Sequence, residues 1–313
     1  MRKSIIAVAI LSLTGCASLK PILPPWLGGY PDLEEPEITS FLDIAGSSHP
    51  FFSDAYSDSK RHGILNALEA QGCNAFYFYA ANDRDYGGKS VRYDGGKKDK
   101  WVEWLRDARS RGMKRICWLR ADDSPTLNRW NMDQWRNYID LVVRDLDDEI
   151  EEYVVGLELN EYWSKGVSDA VGSYLNSKTD KPIGVHQTPG RVDYCHSSWC
   201  DVMYYQYGFG KSAAQLKSDT RRYAAAVGGR RFIGSEYANP SGTASAKGLG
   251  DAILSTGVTK GVGNSANRKM TASVDSTPEP VLEPVPVKID GIRYAVQGER
   301  TELLDETPSG CCE

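Results

Sequence analysis

Two glutamates in this sequence stand where short apolar runs end, a position in which carboxyl groups can do acid–base and nucleophilic chemistry. Glu161 follows Asn160 at the end of YVVGLELNE (153–161), and Glu236 lies near the end of RRFIGSEY (230–237). Two carboxyl groups that face one bond can divide the work. One donates a proton to the leaving oxygen, and the other attacks carbon or activates water. The elements around the two glutamates decide whether they meet.

Eight short apolar runs alternate with amphipathic segments along the chain. Nearly continuous apolar strands separated by helices predict a parallel sheet that is buried on both faces. Eight such units in about 230 residues predict an α/β fold of the (β/α)₈ TIM barrel type. The runs are ITSFLDIAG (38–46), CNAFYFYAAND (73–83), KRICWLRADD (114–123), YVVGLELNE (153–161), KPIGVHQ (181–187), CDVMYYQYG (200–208), RRFIGSEY (230–237) and VTKGVGN (258–264).

Two units of the predicted barrel are irregular. The fifth is shortened, because TPGRVDYCHSSW leaves little room for a helix, and the eighth is incomplete, because no helix precedes the Pro-rich tail. An open doubly wound sheet is the alternative fold, but AGSSHP is not the glycine-rich loop that often follows the first strand of such sheets. Trp101, Trp104 and Trp135 have helical spacing and are expected in the core.

The N-terminus predicts export. Arg2 and Lys3 precede an apolar run that is too short to span a membrane and is typical of a secretion signal. Leu-Thr-Gly-Cys at 13–16 resembles a bacterial lipobox, which implies cleavage before Cys16 and attachment of acyl chains such as palmitate. An ordinary signal peptide with a chance cysteine is the alternative. Because Ala17 rather than Asp follows, the resemblance implies a lipid-anchored protein of the bacterial cell envelope, at the outer membrane.

The predicted organisation has four parts. They are a lipoprotein signal peptide (1–15), a lipid anchor and tether (16–37), the barrel (38–270) and a Pro-rich, mostly extended tail (271–313). The formal net charge of -5 gives no broad basic surface for nucleic acid.

The cysteines that follow the lipobox suit an oxidising compartment. Cys195 and Cys200 are close enough in sequence to form a disulfide, whereas Cys73 and Cys117 are either a pair or two buried thiols. His196 lies between the first two without a second pair of ligands, so no metal site is predicted.

Polar and aromatic side chains collect at the predicted strand ends, where a barrel of this type has its active site. With little lysine and no phosphate loop, they suit a neutral, hydroxyl-rich ligand. The candidate substrate-binding residues are Arg120, Asn160, Trp163, His186, Tyr205 and Tyr207.

LNEYW at the fourth run and FIGSEY at the seventh resemble the glycoside hydrolases of clan A, which are retaining barrel enzymes. The resemblance implies that Glu161 is the acid/base, that Glu236 is the nucleophile and that Asn160 binds a sugar 2-hydroxyl. It also implies a sixth-strand tyrosine beside the nucleophile, which is Tyr205 or Tyr207 according to register. No cofactor or metal is implied, and a monomer with a carbohydrate substrate is expected.

Two features limit the resemblance. The eighth run lacks the tryptophan that many clan members place under the sugar, so Trp163, Tyr86 and Trp199 are candidate replacements. Glu158 is expected deeper in the barrel, as a supporting group rather than a catalytic one. A barrel that binds glycan without cleaving it, or that serves as a scaffold for partners, is the alternative function.

Overall fold

The computed structural model describes residues 51–70, 72–83, 90–121, 124–208, 210–237 and 246–263, together with three strands between 285 and 303. The predicted signal, anchor and tether, the first predicted strand and Tyr86 lie outside the described residues. No helix in the described ranges is long and apolar enough to cross a membrane.

A parallel sheet of seven strands forms the centre of the structure. Its spatial order follows the chain, and every neighbouring pair is parallel. These strands are the second to eighth predicted runs, which confirms the predicted α/β barrel. They are β1 (Ala75–Tyr79), β4 (Lys114–Trp118), β5 (Glu152–Val154), β6 (Ile183–Gln187), β7 (Val202–Gln206), β8 (Arg231–Glu236) and β9 (Gly261–Val262).

Two smaller sheets accompany the barrel strands. β2 (Ala81–Asn82) and β3 (Val91–Arg92) form an antiparallel pair after β1. A separate antiparallel sheet is built, in chain order, from β10 (Val285–Ile289), β11 (Ile292–Gln297) and β12 (Arg300–Leu303). These three strands lie in the region predicted as a mostly extended tail.

Helices occupy most of the connections between the barrel strands. They are α1 (Asp58–Ala70), α2 (Lys98–Ser110), α3 (Met132–Leu146), α4 (Leu159–Tyr162), α5 (Lys165–Asn176), α6 (Ala213–Ala226) and α7 (Ala246–Leu254). Capping boxes at Asn131 and Ser212 begin α3 and α6, where the side chain accepts from a backbone N–H that would otherwise have no partner. The fifth connection holds only a 3₁₀ turn, Asp193–His196, which confirms the shortened fifth unit.

Strand alternation divides the core into two layers. Inside the barrel, the Tyr77 ring stacks on Trp118, which also contacts Tyr204 and His186. Outside it, Phe78 on β1 packs against Trp101 of α2. The predicted core tryptophans Trp101, Trp104 and Trp135 are all buried.

Charged side chains inside the barrel establish which face is inward. Glu152 on β5 accepts a hydrogen bond from the Tyr204 hydroxyl at 2.7 Å and is paired with Arg231 on β8. These three residues come from strands that are not all neighbours, so their side chains meet across the barrel interior. Buried charges are stable only when paired in this way.

Candidate active site

A β-bulge aims Glu236 into the barrel. Gly234 pairs with Tyr205 and Glu236 pairs with Gln206, so Ser235 has no counterpart on β7. Arg231, at the start of the same strand, points inward, and strict alternation over five residues would turn Glu236 outward. The extra residue in the bulge restores the inward direction, which is a common use of bulges near active sites. Glu236 is 2% exposed.

The chain turns sharply after β5, at Glu158. This residue has a φ of 44° and is the one non-glycine residue with positive φ in the described ranges. Such a conformation costs about 1 kcal/mol or more, and strain of this kind clusters at functional sites. Gly156 precedes the turn, where a Cβ would lie 2.7 Å from Cγ of the buried Arg120.

The carboxylate that reaches the inward face at this turn belongs to Glu158. Its Oε1 accepts a hydrogen bond of 2.6 Å from Nε2 of Gln206 on β7. Its backbone N–H donates to Nδ1 of His186 at 3.1 Å. Gln206 is also the residue that pairs with Glu236, so the Glu158 carboxylate is hydrogen-bonded to the strand neighbour of Glu236.

Asn160 and Glu161, the predicted sugar-binding amide and acid/base, have different surroundings. Asn160 donates from Nδ2 to Thr188 Oγ1 at 2.6 Å and accepts from the Thr188 N–H at 2.8 Å. Its amide therefore links the turn after β5 to the loop after β6. Glu161 lies on α4, nearly one helical turn beyond Glu158, with an exposed side chain.

His186 lies between the backbone turn at Glu158 and the carboxylate of Glu236. The ring is fully buried, contacts Trp118, and places Nε2 4.0 Å from Glu236 Oε2. Burial lowers the pKa of His186 to about 3, because a charged imidazole would lose its hydration there. The ring is therefore neutral near neutral pH.

The predicted tyrosines of the sixth barrel strand face away from the interior. Tyr205 stacks on Tyr223 of α6 with ring centroids 4.5 Å apart, and Tyr207 shares a 2.7 Å hydrogen bond with Thr220 of the same helix. Neither is placed to contact a substrate in the barrel. The inward position between them belongs to Gln206. Sequence reasoning missed it because both faces of β7 are buried, so hydrophobicity gives no register.

Arg120 and Trp163 are part of the scaffold. Arg120 is inaccessible, donates to the Ala121 carbonyl and to Asn128 Oδ1, both at 2.6 Å, and lies 4.6 Å from the Trp163 ring centre. Trp163 is 4% exposed and meets Trp135 edge to face. These contacts bury the faces that a sugar would need. Trp199 is equally buried, whereas Tyr162 on α4 is 41% exposed.

Among the described residues, Cys73, Cys117, Cys195 and Cys200 are buried free thiols. Cys195 and Cys200 are in contact, with their sulfurs 3.0 Å apart. His196 Nε2 lies 2.8 Å from the Ala226 carbonyl oxygen. Over the residues with described positions, no three His, Cys, Asp or Glu side chains are grouped to hold a metal ion.

The fold is shared with solved glycoside hydrolases, although the sequences are distant. The chain is similar to a GH113 β-1,4-mannanase, with a TM-score of 0.51 and 13% identity over 77% of this chain and 99% of that one. An endo-β-1,4-mannanase from Rhizomucor miehei has a TM-score of 0.51 and 14% identity, over 72% of this chain and 85% of that one. An endo-β-1,4-mannanase from Thermotoga petrophila has a TM-score of 0.53 and 12% identity, over 72% of this chain and 66% of that one. No protein-family model and no curated protein matches the chain. These likenesses establish the barrel fold.

Proposed function

We propose that this protein hydrolyses glycosidic bonds with retention of configuration, with Glu158 as acid/base and Glu236 as nucleophile. The observation that carries the proposal is the inward placement of these two carboxylates at the carboxyl ends of β5 and β8. Catalytic groups of this fold lie at that end of the barrel. His186 and Gln206 each contact the Glu158 turn and lie next to Glu236.

This proposal moves the acid/base role from Glu161 to Glu158. The exposed side chain of Glu161 has bulk solvent around it, whereas an acid that must stay protonated needs a sheltered site. Glu158 is half-buried, and its Oε1 accepts from Gln206.

The reaction has two balanced steps. Glu236 attacks the anomeric carbon while Glu158 gives its proton to the leaving glycosidic oxygen, which yields a glycosyl ester and a free alcohol. Glu158, now a carboxylate, then removes a proton from water as that water breaks the ester, which restores both groups. Neither step needs a metal or an organic cofactor.

β-1,4-Mannan is the first substrate to test, because three of the fold relatives named above are β-1,4-mannanases. The soluble barrel would be incubated with β-mannan, β-glucan and aryl β-glycosides. Proton NMR of the first sugar released would report its anomeric configuration. Retention is expected, and inversion would remove Glu236 as a direct nucleophile.

A second candidate function is glycan binding without cleavage. The resemblance implies that Asn160 and a sixth-strand tyrosine assist catalysis. Here the Asn160 amide is hydrogen-bonded to Thr188, and Tyr205 and Tyr207 face outward, which favours binding without cleavage. Glycan binding that survives loss of both Glu158 and Glu236, with no turnover of any glycan tested, would support this function.

The location of the protein is also part of the proposal. We infer from the N-terminal sequence that Cys16 is acylated and anchors a monomeric barrel at the outer membrane of a bacterial envelope. Cys16→Ser should release the protein from the membrane fraction and abolish labelling by radioactive palmitate. A variant that still fractionates with membranes would contradict the anchor.

A further inference from the structure

We propose that His186 is a positioning residue for both carboxylates: Nδ1 holds the turn that aims Glu158, and the N–H at Nε2 supports the negative charge of Glu236. This inference rests on the proposed function for its catalytic consequence. It also makes a claim about the imidazole that is measurable without substrate. The sixth-strand tyrosines, one of which the family resemblance places beside the nucleophile, are turned outward here.

The first half of the role follows from the backbone at Glu158. A left-handed conformation is unfavourable for a residue with a side chain, and it persists only where surrounding contacts determine it. The Glu158 N–H donates to His186 Nδ1 at 3.1 Å, and Gln206 holds the carboxylate at 2.6 Å. Together these contacts fix both the backbone and the side chain of the acid/base.

The second half of the role follows from which ring nitrogen of His186 carries the proton. A neutral imidazole has one N–H, and Nδ1 accepts from Glu158, so the proton must be on Nε2. Nε2 has no hydrogen-bond partner among the described residues, and Glu236 Oε2 is 4.0 Å away. At this distance the attraction is electrostatic. Such contacts often shorten to a hydrogen bond when substrate binds.

The surroundings keep the imidazole neutral and its N–H in place. Glu236 on β8 lies 4.0 Å from Nε2, Glu158 contacts Nδ1 through its backbone N–H, and Tyr204 on β7 is the strand partner of His186. Trp118 on β4 contacts the ring without adding charge. Burial lowers the pKa of His186 to about 3. The ring therefore acts as a fixed dipole, with its acceptor toward the acid/base and its donor toward the nucleophile.

Two amide substitutions of His186 each preserve one of its contacts and remove the other. The amide oxygen of His186→Asn reaches the Nδ1 position and can still accept from Glu158, but nothing donates toward Glu236. The amide of His186→Gln reaches the Nε2 position and can still donate toward Glu236, but the Glu158 turn loses its acceptor.

The two variants should differ in the pH profile of kcat/KM. A hydrogen bond or dipole that favours a carboxylate lowers its pKa. His186→Asn should therefore move the acidic limb upward by about one pH unit, since Glu236 loses its support. His186→Gln should leave that limb in place and reduce kcat. A purely structural role would lower activity in both variants without moving the limb, and that result would overturn the inference.

A measurement on the resting protein separates this inference from the proposed function. Nitrogen-15 NMR should show His186 as the neutral tautomer protonated at Nε2, unchanged from about pH 5 to about pH 8. A proton on Nδ1, or titration in that range, would overturn the inference even if the variants fail to fold. If the wild-type protein cleaves no glycan but the tautomer is as stated, the proposed function fails and the assignment of the ring stands.

Discussion

Replacing Glu158 by glutamine tests the active-site geometry most directly. The substitution removes the proton donor and preserves the size of the side chain. The amide oxygen of the new side chain can still accept from Gln206, which in the wild-type protein donates to Oε1 at 2.6 Å. The strained turn and the contact with His186 involve the backbone, so they should persist. The variant should therefore fold normally and be defective in proton transfer alone.

The expected loss follows from what a positioned acid contributes. General acid catalysis is worth about 10²–10⁴-fold, which corresponds to about 3–5 kcal/mol of activation free energy. The loss in kcat/KM should reach that range for a polysaccharide, whose leaving alcohol needs protonation. It should be much smaller for an aryl glycoside with an acidic phenol, because that leaving group departs without help. This dependence on the leaving group distinguishes a lost acid from a damaged site.

The matched control is Glu161→Gln, which lies on the exposed side of α4. It should leave kcat/KM within about twofold of wild type, as for surface substitutions away from the chemistry. Both variants and the wild type would be assayed on β-mannan and on aryl glycosides at one pH, with thermal unfolding as a check on folding. If Glu161→Gln loses activity and Glu158→Gln does not, the assignment from the turn geometry is refuted.

Further predictions concern stability, redox state and pH. Gly172→Ala should destabilise the fold by about 1–3 kcal/mol in chemical denaturation, because its Cβ would lie within 2.7 Å of three indole atoms on the neighbouring loop; Gly166→Ala in the same helix, with only one contact at 3.9 Å, should be neutral or slightly stabilising. Cys195 and Cys200, whose sulfurs are 3.0 Å apart, should form a disulfide when a small disulfide oxidant accepts their two electrons and two protons. Mass spectrometry should then show a protein lighter by two hydrogen atoms. The Cys195→Ser variant should show no such loss of mass. Burial lowers the pKa of His186 to about 3, so between about pH 6.5 and pH 3 this histidine is protonated in the unfolded chain and neutral in the folded one. Acidification through this range should therefore lower the free energy of unfolding by about 1.4 kcal/mol per pH unit. The His186→Gln variant should lack this contribution.

The sequence by itself determined the order of the barrel strands. Continuous apolar runs separated by amphipathic segments specify buried parallel strands and covering helices, and these patterns depend on local composition. The seven strands from β1 to β9 that form the sheet lie where the runs predicted them. The shortened fifth unit was equally readable, because too few residues separate β6 from β7 to build a full helix.

Only the tertiary structure decided which polar residues face the interior. The outward direction of Tyr205 and Tyr207 depends on the register of β7, and a strand buried on both faces has no hydrophobic signature of register. The inward direction of Glu236 depends on a bulge at Ser235, which appears only when β7 and β8 are paired. The inward direction of Glu158 depends on a left-handed turn, and this turn is held by contacts with His186 on β6 and Gln206 on β7. Local sequence can indicate that a strand ends in a carboxylate, but neighbouring strands determine where that carboxylate points.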